Sequence, residues 1–347
     1  MNDPNGGGIP IPVGVVGAGN IAQVIHLPVL TRHPDVKVQA LCDADASKAA
    51  VVANKFGIPH IYDDIAEMLR AEELEAVFIL TPNNLHLPMS LIALDYGVHV
   101  FLEKPAARNS DEAERIRRKA ASAGRMVFVG MHNRFRTDAN ALRTFLKDRE
   151  LGDLFFLKAG WLQARHQAIK QPWLFQKNVS GGGVVLDLGV QMIDLAWWLL
   201  DKPDPLATKA FSFKVEKSLA VEDFCVACVT FDNQISLSLE VSWDFPVTKD
   251  QLFLEVAGEN GTGMLNPLRL QKFWHGQIVN ITPDVKDSRI AHFKKGYENE
   301  VNHFFDYLTG RVSQLESPID DAVKVLSITD AIYQSFHDGR EITFDKE

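Results

Sequence analysis

The stretch Val13-Gly14-Val15-Val16-Gly17-Ala18-Gly19-Asn20-Ile21-Ala22 decides how the rest of the chain is read. A short apolar run ends in two glycines one residue apart, and Asn20–Leu30 follows with helical spacing, which Pro28 is expected to end or kink. Gly17 permits a tight turn. Gly19 lets an anion approach backbone N–H groups at a helix N-terminus, and Ala22 is small enough for close packing of helix on strand. In this strand–turn–helix setting Gly17, Gly19, Asn20, Ile21 and Ala22 read as a dinucleotide-binding turn.

Working outward, strand and helix signals alternate. Val36–Cys42, Ala76–Leu80, Val98–Leu102 and Met126–Gly130 read as strands, and Ser47–Phe56, Leu87–Tyr96 and Ser110–Ala123 as helices. Such alternation builds parallel βαβ units and a doubly wound sheet. The pattern changes after about residue 133. Ala139–Lys147 is helical, Leu154–Trp161 is extended, and Gly181-Gly182-Gly183 opens a helix running to about Leu200. Leu206–Val215, Phe224–Phe231, Gln234–Trp243 and Leu252–Gly258 then follow as strands joined by short turns, which implies antiparallel pairing. Helices around Glu298–Leu308 and Ile319–Phe336 close the chain. The expectation is an α/β Rossmann domain over residues 1–132, with 1–9 a flexible tail, and an α+β domain over 133–347 with an open, mainly antiparallel sheet. One face of such a sheet must be covered; helices can cover one side and a partner subunit the other, so a homodimer or homotetramer through the sheet is expected.

The chain has 347 residues, 46% hydrophobic and 23% charged, enough apolar content for two globular domains. A formal charge of −9 argues against phosphate-driven nucleic-acid binding and disfavours adsorption to anionic membranes, so neither is expected as partner. The N-terminal segment lacks a secretory pattern and no apolar run approaches the ~18 residues of a membrane span, so a soluble cytoplasmic protein is expected. Three cysteines do not make a disulfide framework. Cys225 and Cys228, three apart on a strand, point to opposite faces and read as buried small apolar residues, and no metal site is expected.

Four more motifs carry chemistry. Asp43 ends the second strand, 24 residues beyond Gly19, where a carboxylate accepts from an adenosine ribose and repels a 2′-phosphate. That favours NAD, while neighbouring Lys48 keeps NADP open. Thr81-Pro82-Asn83-Asn84-Leu85-His86 follows another strand, at the sheet end where ligands sit, so Thr81, Pro82, Asn83 and His86 are cofactor candidates. Glu103-Lys104-Pro105 does the same, and a lysine facing a cationic nicotinamide is expected to lose proton affinity. A cis Lys104–Pro105 bond would fix its direction. In the helix after the triple glycine, Asp187, Gln191 and Asp194 fall at i, i+4 and i+7 and share one face, facing a polar cavity or fixed partners.

Gly17-x-Gly19-x-x-Ala22, Thr81-Pro82-Asn83-x-x-His86, Glu103-Lys104-Pro105 and the triple-glycine helix start together resemble the Gfo/Idh/MocA family of nicotinamide-dependent oxidoreductases, from about Ile11 to the last helix. The resemblance implies a Rossmann domain with an open-sheet domain, a dimer or tetramer, and hydride transfer between NAD(P) and a hydroxyl or carbonyl of a sugar, cyclic polyol or related compound. It places the residues matching Lys104 and Asp187 beside the reacting carbon, with Glu103 and Lys104 also near the cofactor, and a histidine four residues after the aspartate as acid/base. Here position 191 is Gln, which holds hydrogen bonds but exchanges no proton near neutral pH. Three accounts stand: Lys104 does the proton work while Gln191 orients the substrate; His86, His132 or His166 replaces the missing group; or the chain is a catalytically silent nucleotide-binding regulator. An NAD-dependent glycosidase is a further alternative. Asn133, Arg165, Trp173 and Lys177, with Arg134 and His166 beside them, are candidates for substrate contacts, since Arg and Lys bind anions and Trp stacks on sugar faces.

Overall fold

Six strands form the first sheet: β1 (Ile11–Val16), β2 (Val36–Cys42), β3 (His60–Tyr62), β4 (Ala76–Ile79), β5 (His99–Glu103) and β6 (Val127–Gly130). The computed structural model describes residues 10–165, 172–284 and 289–344. The sheet order is β3-β2-β1-β4-β5-β6 and every pair is parallel. β4 and β6 are buried throughout, as apolar strands covered on both faces must be. The order reverses between β1 and β4, so the loops leaving those two strands lie side by side, the place where doubly wound sheets bind ligands.

The chain divides into two compact units. One holds residues up to 107, with 111–131 and 297–323; the other holds 108–110, 132–296 and 324 onward. Segment 297–323, assigned by the sequence reading to the second domain, falls with the first. Its aromatics explain this: Phe304 meets Phe78, Phe101 and Phe128 edge-on at centroid distances of 5.5, 5.6 and 5.9 Å. Phe78 and Phe101 themselves stack at 4.5 Å.

In the second unit nine strands form one sheet: β7 (Leu154–Ala164), β8 (Pro205–Phe213), β9 (Phe224–Phe231), β10 (Ser236–Phe245), β11 (Gln251–Gly258), β12 (Gly261–Leu265), β13 (Arg269–Trp274), β14 (Gln277–Asn280) and β15 (Ile342–Thr343). Their order is β14-β13-β12-β11-β7-β10-β9-β8-β15, and only the β7–β10 pair is parallel. Burial alternates along β9 and along β11 as far as Val256, so one face of the sheet is apolar core. The helix ending at Leu199 packs on β7 and β10. The opposite face exposes Phe211 and Phe213, and Phe213, Phe224 and Phe245 form a row across β8, β9 and β10 at 5.9 and 6.0 Å.

Three local expectations change. Helical stretch Lys177–Leu199 is long and apolar enough to cross a membrane by length and composition, contrary to the sequence reading, but 83% of that window is buried inside the fold. Cys225 is buried and Cys228 exposed, so the two do face opposite ways but only Cys225 is core; burial pushes its thiol up. Pro28 does not end the first helix. A π-helical turn over Ala22–His26 precedes it, and the α-helical segment Leu27–Leu30 continues past Pro28.

Candidate active site

The first unit brings three loops to one end of its sheet. Gly17 has φ +100°, and a Cβ there would stand 2.8 Å from the Leu80 carbonyl oxygen, so only glycine lets β1 and β4 deliver their loops this close together. A Cβ at Gly19 would meet no atom within 4 Å. That open space beside a helix start fits the pyrophosphate of a dinucleotide. Ala22 is fully buried, Ile21 is half-buried and Asn20 is exposed. The Ala18 N–H donates to Asp43 Oδ2 at 2.7 Å and Gln23 Nε2 donates to the Ala18 carbonyl at 3.0 Å, bracing the turn from both sides.

Asp43 also accepts from the Asp45 N–H at 2.9 Å and from Lys48 Nζ at 2.9 Å. Burial opposes ionisation, but the hydrogen bonds from Lys48, Ala18 and Asp45 outweigh it and hold the carboxyl below its ordinary range. A charged acceptor at this position suits a ribose hydroxyl. Lys48, read as a possible phosphate partner, is engaged with Asp43.

Beyond β4, Thr81 and Pro82 are half-buried and Asn83 is buried. Thr81 Oγ1 is a buried polar atom with no hydrogen-bond partner, a loose end at the ligand-binding end of the sheet. His86, in contrast, is turned inward: Nδ1 lies 2.8 Å from the Pro105 carbonyl oxygen and Nε2 lies 2.9 Å from that of Thr81. Burial lowers its proton affinity. Its place is thus within the loop framework, in contrast to the ligand-facing place the sequence reading gave it.

The Lys104–Pro105 bond is cis and Lys104 is half-buried. The Lys104 N–H donates to Glu103 Oε2 at 2.8 Å, and Glu103 Oε1 lies 2.8 Å from His26 Nε2. Glu103 is buried; desolvation raises its carboxyl, but His26 and Lys104 lower it further, below the usual range. Glu300, fully buried, is pushed well above that range by desolvation, with the Glu103 charge adding.

In the second unit, the triple glycine is packed solid. Gly181 has φ +90°, and a Cβ at Gly182 or Gly183 would lie 2.0 Å from the Tyr333 hydroxyl or 1.9 Å from the Glu222 carbonyl oxygen. The Glu222 carboxylate accepts from the Gly183 and Val185 N–H groups at 3.1 Å and from the Tyr333 hydroxyl at 2.9 Å. It satisfies the orphan donors at the helix start as a cap would. Burial raises its proton affinity against those hydrogen bonds.

The helix then makes a π-helical turn over Val185–Gly189 before its α-helical part, Val190–Leu199. The polar stripe expected at 187, 191 and 194 separates accordingly. Asp187 Oδ2 accepts from Trp243 Nε1 at 2.8 Å, and Gln191 Nε2 donates to the Asp187 carbonyl at 2.8 Å. Asp194 instead pairs with Arg134: Oδ2 accepts from Nε at 2.9 Å and Oδ1 from Nη2 at 2.5 Å, both side chains buried. Gln191 is buried, and its amide group, with two N–H donors and one acceptor oxygen, spends one donor on the Asp187 carbonyl.

The other candidates are placed less centrally. Asn133 is buried, with Oδ1 3.4 Å from Arg136 Nη1, in a cluster where Arg136 also donates to Asp138 and Asn266. His132 is buried against the Phe293 ring. Arg165 pairs with Asp244 at 3.3 Å, Trp173 is half-buried and Lys177 exposed; His166 lies outside the described residues. Phe175 meets the Trp243 ring edge-on at 5.7 Å, and so links this segment to the residue that holds Asp187. The sequence reading missed His26, Glu222, Tyr333 and Trp243, whose partners lie 56 or more positions away except for the 37- and 39-residue separations of Glu222 from Val185 and Gly183.

Comparison with known proteins places both halves of the chain in one family. The description "Oxidoreductase family, NAD-binding Rossmann fold" fits residues 11–131, and the GFO/IDH/MocA C-terminal domain fits 139–263. D-glucoside 3-dehydrogenase of Escherichia coli (strain K12) is 25% identical over 96% of this chain and 97% of its own length. An oxidoreductase subunit of Amycolatopsis mediterranei (strain S699) is 30% identical over 72% of this chain and 74% of its own. Among solved structures, levoglucosan dehydrogenase in complex with NADH and levoglucosan superposes with a TM-score of 0.86 at 20% identity, covering 97% of this chain and 100% of that one. GenD2 from gentamicin A biosynthesis, in complex with NAD, gives 0.85 at 24% identity over 100% and 99%. With both halves matched in order, the chain belongs to the Gfo/Idh/MocA family of NAD-dependent oxidoreductases.

Proposed function

We propose that this protein is a dehydrogenase that oxidises a secondary hydroxyl of a sugar or cyclic polyol, or reduces the matching carbonyl, with Lys104 as the proton-transferring group and Gln191 as a hydrogen-bond acceptor for the substrate. NAD supplies the hydride acceptor. Gly17–Ala22 and Asp43 hold its pyrophosphate and ribose, and Thr81–Asn83 border it. Lys104 accepts the hydroxyl proton during oxidation and returns it during reduction. Asp187, held by Trp243, accepts from a substrate hydroxyl. The relatives named for glucosides, apiose, levoglucosan and scyllo-inositol support a sugar or polyol substrate.

The observation that carries this reading is the orientation of Gln191. Its Nε2 donates to the Asp187 carbonyl, Oε1 is the atom we assign to accept from a substrate hydroxyl, and an amide takes up or releases no proton near neutral pH. Proton transfer then falls to Lys104. The test is NADH formation with NAD⁺ over aldoses, glycosides, inositols and sugar acids, followed by two variants on the best substrate. Lys104→Ala is expected to lower kcat by about 10²-fold or more, the usual worth of a general base. Gln191→His is expected to add a pH-rate limb near the ordinary histidine range. Near-normal turnover of Lys104→Ala would sink the reading.

The exposed Phe211 and Phe213, with the half-buried Phe224 and Phe245 in the row beside Phe213, support a second copy of this chain as the cover for the open sheet face. Sedimentation showing only monomer at micromolar concentration would remove that part.

A further inference from the structure

Lys104 stands between two residues that are each held by a buried histidine. On one side, the Glu103 carboxylate bridges His26 Nε2 and the Lys104 N–H, 2.8 Å to each, so it cannot rotate without losing both. On the other, the Pro105 carbonyl lies 2.8 Å from His86 Nδ1. The two histidines come from the other two ligand-binding loops. His26 ends the π-helical turn that continues the Gly17–Ala22 turn, and His86 closes the Thr81–His86 loop, with Nε2 2.9 Å from the Thr81 carbonyl oxygen. One extra residue in a helical turn rotates every later side chain by about 100°. The π turn is therefore what sets the direction of His26. The His26 ring is fully buried and is fixed edge-on by Phe101 at 5.3 Å and Tyr297 at 6.1 Å.

We infer that His26 and His86 are positioning residues that tie the glycine-rich turn and the Thr81 loop to the Lys104 backbone, so that a dinucleotide held by the first two fixes the third. The inference rests on Lys104 being the working residue of the site, but the linkage itself is a property of the first unit and is read without turnover.

The test is amide hydrogen exchange of the full chain, by mass spectrometry with electron-transfer fragmentation to resolve the Lys104 amide, with and without saturating NAD⁺. In the unsubstituted protein NAD⁺ is expected to slow this amide by about tenfold or more. His26→Leu, which removes the donor to Glu103, is expected to bind NAD⁺ and yet show less than about a twofold effect at Lys104. His26→Gln, whose amide can reach the same carboxylate, is expected to restore the effect. His86→Leu is expected to act like His26→Leu. If His26→Leu does not fold, His26→Met replaces it, because its thioether fills the space and offers no donor to Glu103. Full NAD⁺-dependent protection of Lys104 in the leucine variants, or none in the unsubstituted protein, overturns the inference. Absent dehydrogenase activity with intact coupling would instead count against the proposed reaction alone.

Discussion

The chain starts a helix with closely spaced glycines twice, at Gly17–Ala22 and at Gly181–Gly183, and the two serve opposite ends. In the first, Gly17 avoids the Leu80 backbone while Gly19 borders open space. In the second every glycine is crowded by protein, with Arg108, Tyr333 and Glu222 at 2.7, 2.0 and 1.9 Å from where a Cβ would be. Both turns have their N–H groups held by a carboxylate, Asp43 in one and Glu222 in the other, and both lead into a π-helical turn. The lesson is that glycine spacing reports a close approach of backbone to something. Only the surroundings say whether that partner is a ligand or the protein itself.

Substitution separates the two most sharply at Gly183. Alanine there forces its methyl against the Glu222 backbone, which cannot swing away as a side chain would. A loss of about 3 kcal/mol or more in urea unfolding is expected. A cost under about 1 kcal/mol would show that the second turn is looser than drawn. Glu222→Ala comes next. It strands the Val185 N–H and the Tyr333 hydroxyl proton and leaves the Gly183 N–H with the Tyr333 oxygen alone, and a loss of about 2–3 kcal/mol is expected by the same measurement. Gly19→Ala should behave the other way. Stability should change by no more than about 0.5 kcal/mol, while NAD⁺ affinity, read by calorimetric titration, falls by about tenfold, or ~1.4 kcal/mol. Equal NAD⁺ binding by Gly19→Ala would mean that the open space is not where the cofactor's pyrophosphate lies.

The first turn was legible in the sequence because its function is local: strand, glycines and helix follow within about ten residues, and Asp43 lies at a fixed reach. The alternation up to Gly130 was legible for the same reason. What was not legible depends on partners distant in sequence. Asp194 looked like part of one polar stripe with Asp187 and Gln191, yet it belongs to Arg134, 60 residues away, and the π turn at Val185–Gly189 breaks the even helical spacing assumed for the stripe. Residues 297–323 carried no local sign of joining the first unit, since Phe304 finds Phe78, Phe101 and Phe128 only in three dimensions. Strands β12, β13 and β14 escaped because they are short and mix glycine or polar residues with apolar ones without a clean alternation, and β14 is exposed along its whole length.

The smallest expected effect is also the one that compares the two carboxylates directly. Asp43 is held below its ordinary range in the folded chain, so it adds stability at pH values above the unfolded pKa of about 3.9, and that contribution is lost as the pH falls through the folded value. Glu222 is shifted upward by burial, so the folded chain holds its proton more tightly than the unfolded one. Its contribution is fully present below the unfolded pKa and is lost as the pH rises through the folded value. Acidification should therefore weaken the cofactor turn and favour the packed one. Thermal unfolding followed from about pH 6 down to about pH 3.5 brackets the ordinary carboxylate range. Asp43→Asn should make the melting temperature fall less steeply than in the unsubstituted protein, because the acid-labile contribution is gone. Glu222→Gln should make it fall more steeply, because the compensating proton uptake is gone. Parallel slopes for the two variants would mean that the carboxylates do not differ in their response to protons, and the likeness of the two turns would then extend further than their glycines.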